Sequence, residues 1–261
     1  MLGYRCSIMI RQQQPNQYYI FTRLSILAGM FNLYEELMMT ELKRFRAYKY
    51  VLAIGDASAR RLVLLDSVYG PDAVQILEGI GIRQGDRVAD FGCGTGATFP
   101  WFVRHVGSSG EVVGLDASAV QLAIARRACI DAGLSNVHFV EADVYASGLP
   151  RNSFDVAHCR LLLCHLQKPN DAIQEMADVV YPGGVVACFD LDGLFTMPQT
   201  DCYDRLRGLY MEGRRLDGLD NALGSTLPTL LLNAGLVEPE MALIHPVYLR
   251  GEKKRLWELT F

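Results

Sequence analysis

The chain has 261 residues, of which 50% are hydrophobic and 21% charged, and its formal net charge is −4. This length suits one sizeable α/β domain, with or without an appendage. The acidic balance argues against a nucleic-acid partner bound through a broad basic surface. The seven cysteines have no repeated spacing, which favours a reducing, cytoplasmic setting over a disulfide framework. No apolar run reaches the roughly 18 residues of a membrane span, so we expect no membrane partner.

The N-terminal segment differs in composition from the rest of the chain. A polar stretch at Gln12–Gln17 is followed by a basic cluster between Lys43 and Lys49. We interpret the cluster as a solvated helix face and regard contact with phosphate as the less favoured alternative. The domain prediction is therefore an extension over residues 1–47 and one domain over residues 48–261.

Two helical patterns come next, over 57–65 and 71–77, and Pro71 is expected to open the second in its first turn. Strands are then predicted at Val88–Phe91, Glu111–Asp116, Val137–Glu141, Phe154–His158 and Val185–Leu191. Helices are predicted near 101–106, 120–132, 171–180, 203–215 and 226–234. This alternation indicates an α/β fold with a doubly wound, mainly parallel sheet. Ligands of such sheets bind beyond the carboxyl ends of the strands.

The strongest motif is a glycine loop, Asp90-Phe91-Gly92-Cys93-Gly94-Thr95-Gly96, between a strand and a helix. Glycine allows a sharp turn and close approach of a ligand, and the helix N-terminus adds free N–H groups. The nicotinamide fingerprint places its third glycine five residues after the first. Here Gly92 and Gly96 are four residues apart, which disfavours a nicotinamide cofactor.

Carboxylates follow the next two strands. Asp116 ends the second strand, where it can accept hydrogen bonds from ribose hydroxyls, or can serve as a helix N-terminal charge. Ser118 and Gln121 fit a capping box, which leaves open whether Gln121 caps the helix or contacts a ligand. Asp143 follows the third strand and can accept from an adenine amino group, although it can equally be a solvated loop residue.

Together with the Phe154-Asp155 strand and the Pro182-Gly183-Gly184 turn, these motifs resemble the class I, Rossmann-like, S-adenosylmethionine-dependent methyltransferases. They are especially similar to the methyltransferases of quinone biosynthesis and natural-product tailoring, over about residues 50–249. The resemblance implies S-adenosyl-L-methionine as the cofactor and a site made of Asp90, Gly92, Cys93, Gly94, Gly96, Asp116, Ala117, Gln121, Asp143, Val144 and Arg160. The glycine loop would hold methionine, Asp116 ribose and Asp143 with Val144 adenine, while Arg160 would border the methionine end and the substrate cavity. Tyr50 and the two helices before Val88 would form a helical lid.

The C-terminal region departs from the family pattern. Family members finish the sheet with an antiparallel hairpin whose last strand inserts beside the fifth strand. Residues 237–249 can supply the first strand of that hairpin, but residues 251–261 have a helical pattern. The last antiparallel strand is therefore expected to be missing, which would leave an edge of the fifth strand unpaired.

Methyl transfer from a sulfonium requires mainly alignment and exclusion of water, so a general base is optional. His165 is a weak candidate base, and packing on its own helix is the favoured interpretation. A zinc site at His158, Cys159, Cys164 and His165 matches no standard ligand spacing, so no metal is predicted. Asp190 and Asp192 are more readily explained as loop residues than as metal ligands or a site for a substrate amine.

The leading hypothesis is methyl transfer to an oxygen, nitrogen or carbon atom of a small molecule (EC 2.1.1.-). The position that carries an Asn/Asp-Pro-Pro-aromatic motif in base methyltransferases has Cys159-Arg160-Leu161-Leu162 here, which disfavours a nucleic-acid substrate. One alternative is a non-catalytic cofactor-binding or interaction protein derived from a truncated methyltransferase. A less favoured alternative is an NAD(P)-dependent oxidoreductase.

Overall fold

A computed structural model describes residues 56–191, 200–219 and 223–242. Its sheet has the strands β1 (Arg87–Phe91), β2 (Glu111–Asp116), β3 (Val137–Glu141), β4 (Phe154–Arg160) and β5 (Val180–Phe189). The helices are α1 (Asp56–Ile80), α2 (Phe99–Val106), α3 (Ala119–Asp131), α4 (Pro169–Val179), α5 (Asp201–Leu216) and α6 (Leu223–Asn233), with a short 3₁₀ helix at Leu163–His165. The predicted extension over residues 1–47 and its boundary lie outside the described residues.

The strands are parallel and have the order β3-β2-β1-β4-β5. The chain therefore moves outward from β1 to β3 and then crosses back to place β4 on the other side of β1. This reversal creates a crevice at the carboxyl ends of β1 and β4, the usual ligand position in an open α/β sheet. The predicted doubly wound α/β sheet is confirmed.

Alternating side chains divide the core into two layers. Val88, Val112 and Val156 pack with α2, α3 and the end of α1, where Phe99, Phe102 and Leu77 are buried. Their strand neighbours Ala89, Val113 and Ala157 face the opposite layer, which contains α4 and the start of α6. Because successive strand residues point to opposite faces, this period of two fixes which side chains can meet at the site.

The prediction of two separate helices before β1 is wrong, because α1 runs without interruption from Asp56 to Ile80 with Pro71 in its interior. An interior proline removes one helical hydrogen bond and costs about 3 kcal/mol. The buried residues Val68, Tyr69, Ala73 and Leu77 lie on both sides of Pro71. Burial of this stripe offsets the cost, since a fully buried aliphatic side chain contributes about 1.5–3 kcal/mol.

The start of β5 also differs from the prediction. Phe154 pairs with Val180 and Val156 with Val185, so the residues between Val180 and Val185 bulge out of register. Gly183, with φ +90°, lies in this bulge, so the Pro-Gly-Gly turn is an irregularity within the strand. Among the described strands, β5 pairs only with β4. Residues 237–242, where the first strand of the expected hairpin should begin, form no strand. The rest of the expected hairpin and the strand expected to be missing fall on residues outside the described ranges.

None of the described helices combines the length and the apolar character that a membrane crossing requires.

Candidate functional site

Asp90, the first residue of the glycine motif, is held in a buried hydrogen-bond network. Its Oδ1 atom lies 2.7 Å from Nδ1 of His158, and its Oδ2 atom accepts a 2.7 Å hydrogen bond from the Thr98 hydroxyl. The register pairs Asp90 with His158 on β4, and Thr98 directly precedes α2. Asp90 and His158 are each 2% exposed. The carboxylate therefore ties β1, β4 and the beginning of α2 together beneath the loop.

The three glycines of the loop all have positive φ but face different surroundings. A Cβ atom on Gly92 would lie 2.7 Å from Leu162, and one on Gly96 would lie 2.5 Å from the Phe99 ring. A Cβ atom on Gly94 would have no described atom within 4 Å. Gly92 and Gly96 are thus needed for packing, whereas Gly94 presents bare backbone to open space, as a ligand loop requires. Burial raises the pKa of the neighbouring Cys93 thiol, so that side chain stays neutral.

Asp116 joins the end of β2 to this loop. Its Oδ2 atom accepts a 2.9 Å hydrogen bond from the Gly94 N–H, and its Oδ1 atom accepts one of 2.8 Å from Ser118 N–H. Burial raises the pKa of the Asp116 carboxyl, and the two backbone donors oppose that effect. Each carboxylate oxygen can accept a second hydrogen bond, so both remain able to accept from vicinal hydroxyls. Ala117, beside it, is exposed.

Only one of the two hydrogen bonds of a capping box is formed between Ser118 and Gln121. Ser118 caps α3 by accepting from Gln121 N–H at 3.3 Å. The reciprocal bond, in which Gln121 Oε1 would accept from the Ser118 N–H, is absent, because that N–H donates to Asp116 Oδ1 instead. Gln121 Oε1 is buried, and no described residue donates a hydrogen bond to it. A bound polar ligand would satisfy this atom, so the side chain fits a cofactor contact.

Asp143 and Val144 follow β3 by two and three residues. Asp143 is exposed, and its Oδ1 atom accepts from Tyr145 N–H at 3.0 Å. The Val144 side chain is 7% exposed and belongs to the core layer on the α4 side. The contact of these residues with adenine stays a prediction.

Arg160 ends β4 and faces α1 across a cavity of about 400 Å³. Its Nη1 atom lies 2.8 Å from Oδ1 of Asp66, a residue of α1. Apart from this pair, the cavity is lined by Ser67, Gly70, Pro71, Ala73, Val74 and Leu77 of α1 and by Ala97, Thr98 and Trp101. The predicted lid is thus represented by α1, while Tyr50 lies outside the described residues.

The other sequence candidates are engaged elsewhere. His165 Nδ1 lies 3.1 Å from Nη1 of Arg214, a group that can only donate, and its role as a base stays a prediction. His158 and Cys159 are consecutive on β4 and face opposite core layers, which keeps them from sharing one metal ion. Within the described ranges, no group of three or more His, Cys, Asp or Glu residues is placed to hold a metal.

Asp190 follows β5 and accepts a 3.1 Å hydrogen bond from Cys164 N–H. Burial raises the pKa of its carboxyl. This contact fixes the 3₁₀ helix to the end of β5, which is a structural role. Asp192 lies outside the described residues.

Comparison with known sequences finds a methyltransferase domain in the central part of the chain. Residues 88–184 match the family described as "Methyltransferase domain". A ubiquinone/menaquinone biosynthesis C-methyltransferase of Pseudomonas paraeruginosa is 41% identical over 105 residues, which are 40% of this chain and 41% of that protein. One from Stutzerimonas stutzeri is 34% identical over 131 residues, 50% of each chain. The chain spans half or less of the length of these two curated relatives.

Solved structures share the fold. A SAM-dependent methyltransferase from Aquifex aeolicus superposes with a TM-score of 0.54 at 19% identity, covering 70% of this chain and 89% of the other. Phosphoethanolamine N-methyltransferase 2 of Haemonchus contortus, in complex with S-adenosyl-L-methionine, gives a TM-score of 0.54 at 18% identity, covering 74% and 44%. At these identities the likeness establishes the fold alone.

The fold is the Rossmann-like fold of class I methyltransferases. Residues 88–184 match the methyltransferase domain family, and this part of the chain is similar in sequence to ubiquinone/menaquinone biosynthesis C-methyltransferases. The family resemblance drawn from the motifs is confirmed.

Proposed function

We propose that this chain transfers a methyl group from S-adenosyl-L-methionine to an oxygen, nitrogen or carbon atom of a small molecule. The observation that carries this proposal is the Gly94–Asp116 contact, in which a strand-end carboxylate is fixed against an open glycine loop. The unsatisfied oxygen of Gln121 supports it, because it offers a further acceptor for the same ligand. A cytoplasmic setting and the absence of a nucleic-acid partner are parts of the proposal.

The residues present suit the cofactor. Gly94 leaves room for it, Asp116 would hold its ribose hydroxyls, and Asp143 with the Val144 N–H would hold adenine. When bound, the sulfonium supplies an activated methyl group, so the protein need not activate the donor. The chain's own contribution is to fix the loop through Asp90 and Asp116 and to exclude water beneath α1.

Methyl transfer can be tested by the formation of S-adenosylhomocysteine from S-adenosylmethionine with a panel of small hydroxy, amino and activated-carbon compounds. The proposal predicts turnover with at least one acceptor class and loss of turnover in Asp116→Ala. Cofactor binding without turnover over a broad panel would favour the non-catalytic alternative. Nicotinamide-dependent absorbance changes would instead support an oxidoreductase.

A further inference from the structure

The cavity beside α1 is predominantly apolar but contains one buried cation. Its apolar lining includes Pro71, Ala73, Val74, Leu77 and Trp101. The Arg160 side chain is only 15% exposed in this setting. A buried charge in apolar surroundings requires an opposite charge, because the desolvation cost is otherwise uncompensated.

Asp66 supplies that charge through a single contact. Among the described residues, the polar partner of the Arg160 guanidinium is Asp66, whose Oδ1 atom lies 2.8 Å from Nη1. A guanidinium has five donors and can bind a carboxylate through two parallel hydrogen bonds. The single contact with Asp66 therefore leaves donors of Arg160 available to a carboxylate that can accept two parallel hydrogen bonds.

The two partners are not equally fixed. Asp66 is 42% exposed, so water can replace Arg160 as its partner at little cost. The backbone next to Arg160 is fixed. Leu161 has φ +54°, and its N–H donates a 2.8 Å hydrogen bond to the carbonyl oxygen of Phe189. A leucine in the left-handed region costs about 1–2 kcal/mol, and such strain is concentrated at functional sites. The structure thus keeps the cation in place and leaves its counter-ion free to move.

Gly70 provides the space in which Asp66 lies. A Cβ atom on Gly70 would be 3.0 Å from Asp66 Oδ1 and 3.3 Å from its Cγ. Glycine in a helix interior costs about 1 kcal/mol relative to alanine. Here that glycine accommodates the carboxylate in its position against Arg160.

Resting on the proposed methyltransferase function, we propose that Arg160 selects the methyl acceptor, and that the acceptor is an apolar molecule carrying a carboxylate. On binding, the acceptor's carboxylate replaces that of Asp66 on Arg160, and its apolar part fills the wall formed by Val74, Leu77 and Trp101. Asp66 then turns to solvent. The Asp66 carboxylate in the structure stands in for the group that the substrate brings.

The test uses the full chain saturated with S-adenosylhomocysteine and three probes with one ring system: 2-naphthoic acid, 2-naphthalenemethanol and 2-naphthylmethylamine. We expect calorimetry to show the acid binding about tenfold more tightly than the alcohol, as a charge-assisted pair contributes. Equal binding of acid and alcohol, tighter binding of the amine, or no binding of the acid at millimolar concentration would overturn the proposal.

Variants separate the roles of the two partners. Arg160→Gln should abolish the preference for the acid, whereas Asp66→Asn should strengthen acid binding several-fold by removing the competing carboxylate. Arg127→Gln, which removes an exposed ion pair to Asp131 on α3, is the matched control for the loss of a charge. An acid preference that survives in Arg160→Gln would contradict the assignment.

Gly70→Ala offers an independent test without removing a charge. The added methyl group would lie 3.0 Å from Asp66 Oδ1, so the carboxylate must shift slightly and its contact with Arg160 should weaken. Acid binding should therefore change in the same direction as in Asp66→Asn, but less. Gly79→Ala is its control, because it lies in the same helix and an added Cβ meets nothing within 4 Å. An unchanged acid affinity in Gly70→Ala would count against the exchange.

S-adenosylhomocysteine binding is measured first in each variant. If wild type does not bind it, the proposed function fails. If Arg160→Gln instead weakens cofactor binding, Arg160 belongs to the cofactor site and the acceptor proposal is overturned.

Discussion

Nδ1 of His158 lies 2.7 Å from Oδ1 of Asp90, and both side chains are almost completely buried. The Phe102 ring packs edge-on against His158 at 5.2 Å between ring centroids. The pair joins the two strands between which the sheet reverses its order. It therefore fixes the origin of the glycine loop at the point where the ligand crevice begins.

Removing His158 should leave a buried carboxylate with Thr98 as its remaining side-chain partner. His158→Ala is expected to lower the free energy of unfolding by about 3 kcal/mol or more. Urea denaturation measures this loss. His158→Asn keeps a donor near Asp90 and should lose less; equal losses in the two variants would show that packing alone, and not the hydrogen bond, accounts for the effect.

Alanine substitutions of the loop glycines should have different effects on stability and on cofactor binding. Gly94→Ala is expected to lower the free energy of unfolding by about 1 kcal/mol, the strain of a left-handed alanine, yet to weaken S-adenosylhomocysteine binding strongly. Gly96→Ala adds a clash with Phe99 at 2.5 Å and should be clearly less stable. Thermal denaturation and calorimetry distinguish the two, and a Gly94→Ala variant with wild-type affinity would exclude Gly94 from the cofactor surface.

Cofactor binding should weaken on acidification. Ribose hydroxyls donate to the ionised form of Asp116, so affinity falls as pH drops through the pKa of the free protein. Since burial raises that pKa above 3.8, the fall should begin at a higher pH than for a solvated aspartate. Asp116→Asn should bind more weakly, with this pH dependence removed. The exposed-residue control Asp131→Asn should retain it, and a retained pH dependence in Asp116→Asn would assign it to another group.

Gln121 should contribute to ligand binding and not to capping. Gln121→Ala retains the backbone N–H that Ser118 caps, so the free energy of unfolding should change little. S-adenosylhomocysteine affinity should fall several-fold, because a net hydrogen bond contributes about 1 kcal/mol. Ser118→Ala provides the converse: it should destabilise the protein by about 1 kcal/mol as a lost N-cap. A Gln121→Ala variant that is unstable but binds normally would restore the capping interpretation.

The regular part of the fold could be predicted from sequence because its signals are local. The bounds predicted for β2 and β3 agree with the structure, since apolar runs between turn residues define them. The prediction of a helix break at Pro71 is wrong, because the burial of side chains on both sides of the proline outweighs the cost of the hydrogen bond that it removes. Such burial is invisible to a pattern confined to one segment.

The site could be predicted less completely, because its contacts join residues distant in the chain. Asp116 and the glycine loop are recognisable by spacing, but the pairing of Asp90 with His158 depends on the register between β1 and β4. Sequence reasoning considered His158 only as a metal ligand and missed Thr98. The contact between Asp66 and Arg160 likewise requires the placement of α1, which no motif encodes.

The most direct test of the account is calorimetric binding of S-adenosylmethionine and S-adenosylhomocysteine to the purified chain, with Asp116→Ala as the paired variant. We predict micromolar affinity in wild type, weakened by about 1.5–3 kcal/mol in Asp116→Ala through loss of charge-assisted hydrogen bonds. A folded wild-type protein that binds neither compound would contradict the account, as would an Asp116→Ala variant that binds as tightly as wild type.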